Sequence, residues 1–261
     1  MGRWADDLAL AHALADAADA LSMARFLAAD LLVETKPDLT PVTDADRAIE
    51  DALRRTLAAE RPDDAVVGEE AGTTGAGPRT WIVDPIDGTK NFVRGVPVWA
   101  TLIALQAHGD VVVGVVSAPA LQRRWWAARG DGAWTQGPHG PRRLAVSRVS
   151  NLGDAFVSYS SLNGWGTRGI LDLCDRAWRT RAFGDFWSHV LVAEGAVDVS
   201  CEPEVSLWDL AALQPIVEEA GGRFSDLSRL GRPDGGSVVC TNGLLHDEVL
   251  RTLTAPAHPG D

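Results

Sequence analysis

The most chemically loaded stretch of the chain is Trp81-Ile82-Val83-Asp84-Pro85-Ile86-Asp87-Gly88-Thr89-Lys90-Asn91-Phe92, an apolar strand that runs straight into a carboxylate turn. Pro85 fixes its own φ and pushes Asp84 toward extended geometry, so two carboxylates and a carbonyl can converge on one point. Gly88 lets backbone amides approach a ligand closely, and free amides at Gly88 and Thr89, if they open a helix, make a phosphate cradle. Hard oxygens grouped in this way recruit divalent cations. The bland reading is a strand-to-helix turn with aspartate as the cap.

Three further carboxylate groups accompany it. Gly68-Glu69-Glu70 is an acidic pair at the end of a predicted strand, where a purely structural reading prefers turn residues. Glu202-Pro203-Glu204-Val205-Ser206-Leu207-Trp208-Asp209 places Ser206 and Asp209 as a Ser-x-x-Asp start to an apolar helix, which also serves as a simple cap. Asp44, after Pro41-Val42-Thr43, reads by itself as a helix-start carboxylate.

The elements that must position these groups follow from hydrophobic spacing. Residues 6–33 read as one long amphipathic helix, 36–41 as a loop barred from helix by its two prolines, and 44–59 as a helix capped by Thr43 with Asp44 and Asp46 in its first turn. Strand signals fall at 65–68, 81–83, 99–107, 111–118 and 124–128, with His108-Gly109-Asp110 as a hairpin turn. The second half reads as strand at 155–159, helices at 167–177, 185–194 and 207–220, and strand at 237–241. The Gly- and Pro-rich stretch 130–141 is the expected seam between halves, no internal repeat is visible, and the tail after Ala255 is expected to fray.

Composition narrows the functional classes. A chain of 261 residues, 46% hydrophobic and 23% charged, can bury a sizeable core. A net charge of −12 repels nucleic-acid backbones and anionic lipid, and an acidic protein that handles a phosphate needs cations to bridge the two. Cys174, Cys201 and Cys240 show no paired spacing, which fits packing roles in a reducing compartment and no zinc knuckle. The longest mostly apolar stretch, 111–121, is too short for a membrane span, and the first residues carry neither an export signal nor a lipidation motif, so a cytoplasmic protein is expected.

Together, Gly68-Glu69-Glu70, the 81–92 motif and Trp208-Asp209-Leu210-Ala211-Ala212 resemble, in order and spacing, the signatures of the inositol monophosphatase family of metal-dependent, lithium-sensitive phosphatases. The resemblance spans nearly the whole chain, including the lead-in Thr43-Asp44. It implies an α/β (α+β) fold, a layered αβαβα sandwich, with an N-terminal α+β half over 1–145 and a C-terminal α/β half over 146–261 that brings Asp209 across the cleft. It further implies that Glu69, Asp84 and the Ile86 carbonyl hold one Mg²⁺ and that Asp84, Asp87 and Asp209 surround a second, with a third, weaker ion in some relatives. The implied chemistry is in-line attack on phosphorus by a water that Thr89 orients, with Asp44 behind it and Glu69 beside it. The amides of Gly88 and Thr89 hold the equatorial oxygens, and no phosphoenzyme forms. Dimers are typical of the family.

The stretches 35–46, 89–99, 117–129, 182–198, 202–212 and 241–249 resemble more narrowly an actinobacterial branch of this family that hydrolyses histidinol phosphate, a step of histidine biosynthesis. Such a substrate carries an ammonium and an imidazole and calls for carboxylates near the metals. Asp185 is then the candidate ammonium partner and Arg181 a nearby polar contact, with Glu202, Asn91 and Phe92 as further substrate contacts, while Trp125 and Trp126 read as packing or interface residues. Leu213 stands where many inositol phosphatases have glycine, which leaves the substrate open. The alternatives are the same chemistry on inositol 1-phosphate or another small ester, and a binding module that kept the fold without catalysis.

Overall fold

The structure, a computed structural model, describes residues 2–165 and 168–255. The start of the helix expected from Thr167 and the tail after Ala255 lie outside the described residues.

Helix α1 (Ala5–Arg25) buries Ala11, Leu14, Ala15 and Ala18. It stops short of residue 33 because Phe26 turns extended and Leu27 takes a φ of 64°, while the Arg25 guanidinium reaches the carbonyl and carboxylate of Asp30 and the carboxylate of Asp44. Strands β1 (Val33–Thr35) and β2 (Pro41–Thr43) pair antiparallel around the loop that the prolines dictate. Helix α2 (Asp44–Glu60) opens with a full capping box: the Thr43 hydroxyl accepts the amides of Ala45 and Asp46, and the Asp46 carboxylate accepts the Thr43 amide.

The chain then builds β3 (Ala65–Gly68), β4 (Gly72–Thr74), β5 (Arg79–Asp87), the short helix α3 (Thr89–Val93), and the run β6 (Ala100–Ala107), β7 (Asp110–Ala118), β8 (Arg123–Ala128), β9 (Gly132–Gly137) and β10 (Gly140–Arg143). These strands form one sheet in the order β10-β9-β8-β7-β6-β5-β3-β4, with only the β3–β5 pair parallel. The stretch 130–141 is therefore not a seam. Gly130, Gly132 and Gly140 supply the positive φ values that turn the chain back into two more strands of the sheet.

The second half contains β11 (Phe156–Ser158), α4 (Gly169–Arg176), β12 (Arg179–Arg181), α5 (Asp185–Ala193), β13 (Val199–Glu202), α6 (Leu207–Leu210), α7 (Leu213–Glu219), β14 (Arg223–Ser225), β15 (Val238–Thr241) and α8 (His246–Leu253). Its five strands run in the order β12-β11-β13-β15-β14. The single helix expected over 207–220 is broken into α6 and α7 because Pro215 has no N–H for the Ala211 carbonyl and its ring crowds that carbonyl. At the same break the Ala212 carbonyl presses on β7 so closely that a Cβ built on Gly114 would lie 2.2 Å from its oxygen.

The layers stack as αβαβα. Helices α1 and α2 cover one face of the large sheet, where Leu14, Ile49, Leu53, Trp81, Ile103 and Val113 share a core. On its other face α5, α6 and α7 form the middle layer, whose core joins Leu102, Val116, Phe186 and Ile216 to Phe224 and Cys240 of the small sheet. Helices α4 and α8 close the outside with Leu173 and Leu250 against Val157 and Val199. Full burial of each such side chain contributes about 1.5–3 kcal/mol. Cys201 and Cys240 are buried and Cys174 half-buried, all as free thiols in packing positions. Among the described residues no helix is long and apolar enough to cross a membrane.

Candidate active site

A cavity of ≈ 580 Å³ opens where the end of β5 and the start of α3 meet the β1–β2 loop, α5, β13 and α6. Strand β5 supplies its acidic floor. The β5–β6 register shifts between Asp84 and Asp87, so the backbone bulges over Pro85 and Ile86 and both carboxylates turn to the same side. The Asp84 carboxylate accepts the Ile86 amide at 3.0 Å, and Thr101 Oγ1 pins the bulge by donating to the Pro85 carbonyl at 2.8 Å. Asp87 accepts the Phe186 amide at 2.7 Å, which ties β5 to the first turn of α5. Asp209 arrives from α6, held by the Ser206 amide at 2.7 Å.

Carboxylate oxygens of Asp84, Asp87 and Asp209 lie within 4.8 Å of one another. Burial and mutual repulsion push Asp84 and Asp87 well above the ordinary carboxylate range, and burial raises Asp209 to about 6. Three acids that cannot all be ionised together without a counter-charge are a fit for a divalent cation, and every donor is a hard oxygen. Glu69 stands beside them, and its strand end is clamped from α2: Glu50 accepts the amides of Glu70 and Ala71 at 2.8 and 2.9 Å. Adding a Cβ to Gly68 would drive it to 2.4 Å from that same Glu50 carboxylate, so this close approach requires glycine. Lys36, from the β1–β2 loop, bonds Glu69 at 2.6 Å and Glu70 at 2.5 Å. Burial opposes its charge, but those two hydrogen bonds outweigh it and hold the ammonium above its usual pKa.

Thr89 follows Gly88, whose φ of 84° starts α3. A Cβ on Gly88 would also meet the Val98 carbonyl at 3.1 Å. The Thr89 hydroxyl lies 2.9 Å from the Ile86 carbonyl and 3.3 Å from Asp46 Oδ1. Asp44, expected behind Thr89, is not there: as the first residue of α2 it points outward to Arg25 at 2.8 Å. Asp46, two positions on and fully buried, faces Thr89 with one oxygen while the other caps Thr43, and burial raises it to about 6. The capping-box spacing Thr43 to Asp46 was the sequence signal for this residue.

The opposite wall carries Asp185, Glu202 and Ser160. Asp185 is held at a φ of 49°, its amide donates to Ser160 Oγ at 2.9 Å, and Ser160 in turn donates to Glu202 at 2.5 Å. Burial raises Asp185, and burial with its acidic neighbours raises Glu202 to about 8. Asn91 does not line the cavity; its amide group bridges the Val98 carbonyl and Asp185 at 2.8 and 3.1 Å. Arg181 is exposed on β12, bonds the Thr180 carbonyl and stays outside the cavity. Phe92 is buried against Phe26 and Trp99, a core position rather than a substrate contact. Trp125 is buried with its indole N–H on Glu194, and Trp126 meets His12 edge-on. His189 also reaches the cavity from α5, and its place four residues after Asp185, on the same helix face, was the available signal.

The sequence profile of the inositol monophosphatase family matches residues 5–256. Over 257 residues the chain is 62% identical to a histidinol-phosphatase of Mycobacterium tuberculosis, covering 96% of this chain and 98% of that one. It is 56% identical to a histidinol-phosphatase of Streptomyces coelicolor, covering 97% and 98%. Among solved structures, a Thermotoga maritima IMPase superposes with a TM-score of 0.85 at 33% identity, covering 95% of this chain and 96% of that one.

Proposed function

The chain belongs to the inositol monophosphatase family, and from that premise we propose that it is a Mg²⁺-dependent phosphomonoesterase that hydrolyses histidinol phosphate to histidinol and phosphate. The observation that carries the reading is the convergence of Asp84, Asp87 and Asp209 at one end of a cavity whose other wall is itself acidic, through Asp185 and Glu202. The first set suits cations that bridge to phosphate. The second suits a leaving group that is itself cationic.

Glu69, Asp84 and the Ile86 carbonyl would hold one ion, and Asp84, Asp87 and Asp209 a second. When bound, such ions supply positive charge for the transferring phosphoryl group and lower the pKa of an attacking water. Thr89, hydrogen-bonded to Asp46, orients that water, with Glu69 beside it, in line with the leaving oxygen. The amides of Gly88 and Thr89 face the equatorial phosphate oxygens, so positioning and fixed dipoles carry the catalysis and no side chain is phosphorylated. Asp185 takes the substrate ammonium, with Asn91 holding its carboxylate in place. The same reading carries a lithium-sensitive homodimer in the cytoplasm, supported by the family resemblance and by the three free thiols.

The test is phosphate release with Mg²⁺, comparing kcat/KM for histidinol phosphate and inositol 1-phosphate, with Asp87→Asn as the blank. A preference of about 100-fold for histidinol phosphate, roughly 2.7 kcal/mol of transition-state discrimination, is expected. The reverse preference keeps the chemistry and overturns the substrate, and no turnover on either ester leaves a binding module.

A further inference from the structure

The mechanism leaves one side chain of the acidic wall idle. His189 lies on α5 one turn beyond Asp185, is 2% exposed, and lines the cavity. Its Nε2 faces a Glu202 carboxylate oxygen at 3.8 Å, too far for a hydrogen bond, and its Nδ1 has no hydrogen-bond partner among the described residues. Buried ring nitrogens are ordinarily paired, so a ring with neither nitrogen engaged marks a place where a partner is expected to arrive.

The surroundings state what kind of partner. Burial pushes the His189 pKa down to about 4, so the ring is neutral and presents one N–H and one lone pair. Glu202 is fixed by Ser160, which leaves its carboxylate facing the ring across a gap rather than closing on it. A neutral ring does nothing to offset the charge of Asp185; what it adds is a directional hydrogen-bonding edge next to the Glu202 carboxyl, which burial keeps protonated up to about pH 8. That pairing suits a nitrogen-bearing group, which donates to a carboxyl oxygen and to the ring lone pair together.

Resting on the substrate reading above, we propose that His189 is a specificity-determining residue: with Glu202 it receives the nitrogen-bearing head of the leaving group, on the side of the cavity away from phosphorus. Asp185 and His189 then read separate nitrogens of the same substrate, one from each end of the first turn of α5.

The experiment compares wild type, His189→Phe and His189→Asn on two esters, histidinol phosphate and the nitrogen-free β-glycerophosphate. In His189→Phe the loss of kcat/KM on histidinol phosphate exceeds that on β-glycerophosphate by about tenfold and falls mainly on KM; His189→Asn, which keeps a donor and an acceptor, recovers part of it. Equal losses on both esters, or none on either, overturn the proposal, because a purely structural role moves both substrates together. Thermal melting of each variant checks folding, and if His189→Phe does not fold, the ratio in His189→Asn decides alone. A wild type with no preference for histidinol phosphate overturns the substrate reading and this inference with it. A wild-type preference that both variants retain overturns this inference only.

Discussion

On the proposed metal side of the cavity, Asp84, Ile86 and Asp87 come from the end of a single strand, β5, while Glu69 and Asp209 arrive from elsewhere. On the proposed leaving-group side, Ser160, Asp185, His189 and Glu202 come from the loop after β11, the first turns of α5 and the end of β13. The first wall is local in sequence, bulged and pinned by backbone hydrogen bonds; the second exists only once three elements of the second half have packed. In the proposed mechanism the chemistry shared by every ester therefore sits on a single strand end. The same proposal leaves the choice among esters to the second wall, which meets the strand through the Phe186 amide on Asp87.

That contrast can be broken by measurement. Asp84→Asn should have the largest effect, lowering kcat/KM by about 10³-fold or more and by the same factor for every ester, since it weakens both cation positions at once. A loss confined to histidinol phosphate would place recognition on the metal wall and remove the distinction. Next, Asp46→Asn should reduce kcat about 10²-fold, while Asp44→Asn, on the outward Arg25 pair, should stay within about threefold. Similar losses for both would mean that Asp46 does not act through Thr89.

A smaller effect separates the walls by their response to pH. Burial raises Asp46 and Asp209 to about 6 and Glu202 to about 8, so the folded metal-free protein holds protons that the unfolded chain releases. The stability linked to these groups is full below the unfolded carboxylate range, near pH 4, and drains away as pH rises through 6 to 8. Melting in a chelator should therefore fall across that window. Mg²⁺ should raise the melting temperature by about 4 °C or more at pH 8 and by less at pH 5, because the cation replaces protons at the ionised triad. An increment that is equal at both pH values would show that the triad is not where the ion binds.

Legibility in the sequence follows the same division. The Thr43 cap, the 81–83 centre of strand β5 and the Asp84–Asp87 turn are contiguous, so spacing alone exposed them, although not the Asp46 half of the capping box. Asp44 and Asp46 share a helix turn, and only the helix's rotation decides which one looks at Thr89; the sequence reading chose the outward one. Ser160 was invisible because nothing in the spacing from 160 to 202 says that these elements meet, and His189 showed only through its place four residues after Asp185. Strands β9 and β10 were hidden by the glycines that make their turns, which read as a linker. The break between α6 and α7 was written in Pro215, whose effect depends on where a helix would otherwise have placed its neighbours' carbonyls.

The contact between Gly114 and the Ala212 carbonyl has a mechanical meaning beyond packing. Ala212 sits three residues after Asp209, so the carboxylate that the second half brings to the acidic cluster is indexed against the large sheet by a stop with no slack. Any side chain at position 114 would act as a shim, lifting the α6–α7 junction and detuning a triad whose oxygens must converge to within 4.8 Å. Tolerances this tight are set far from the cavity mouth, at a residue that touches neither metal nor substrate.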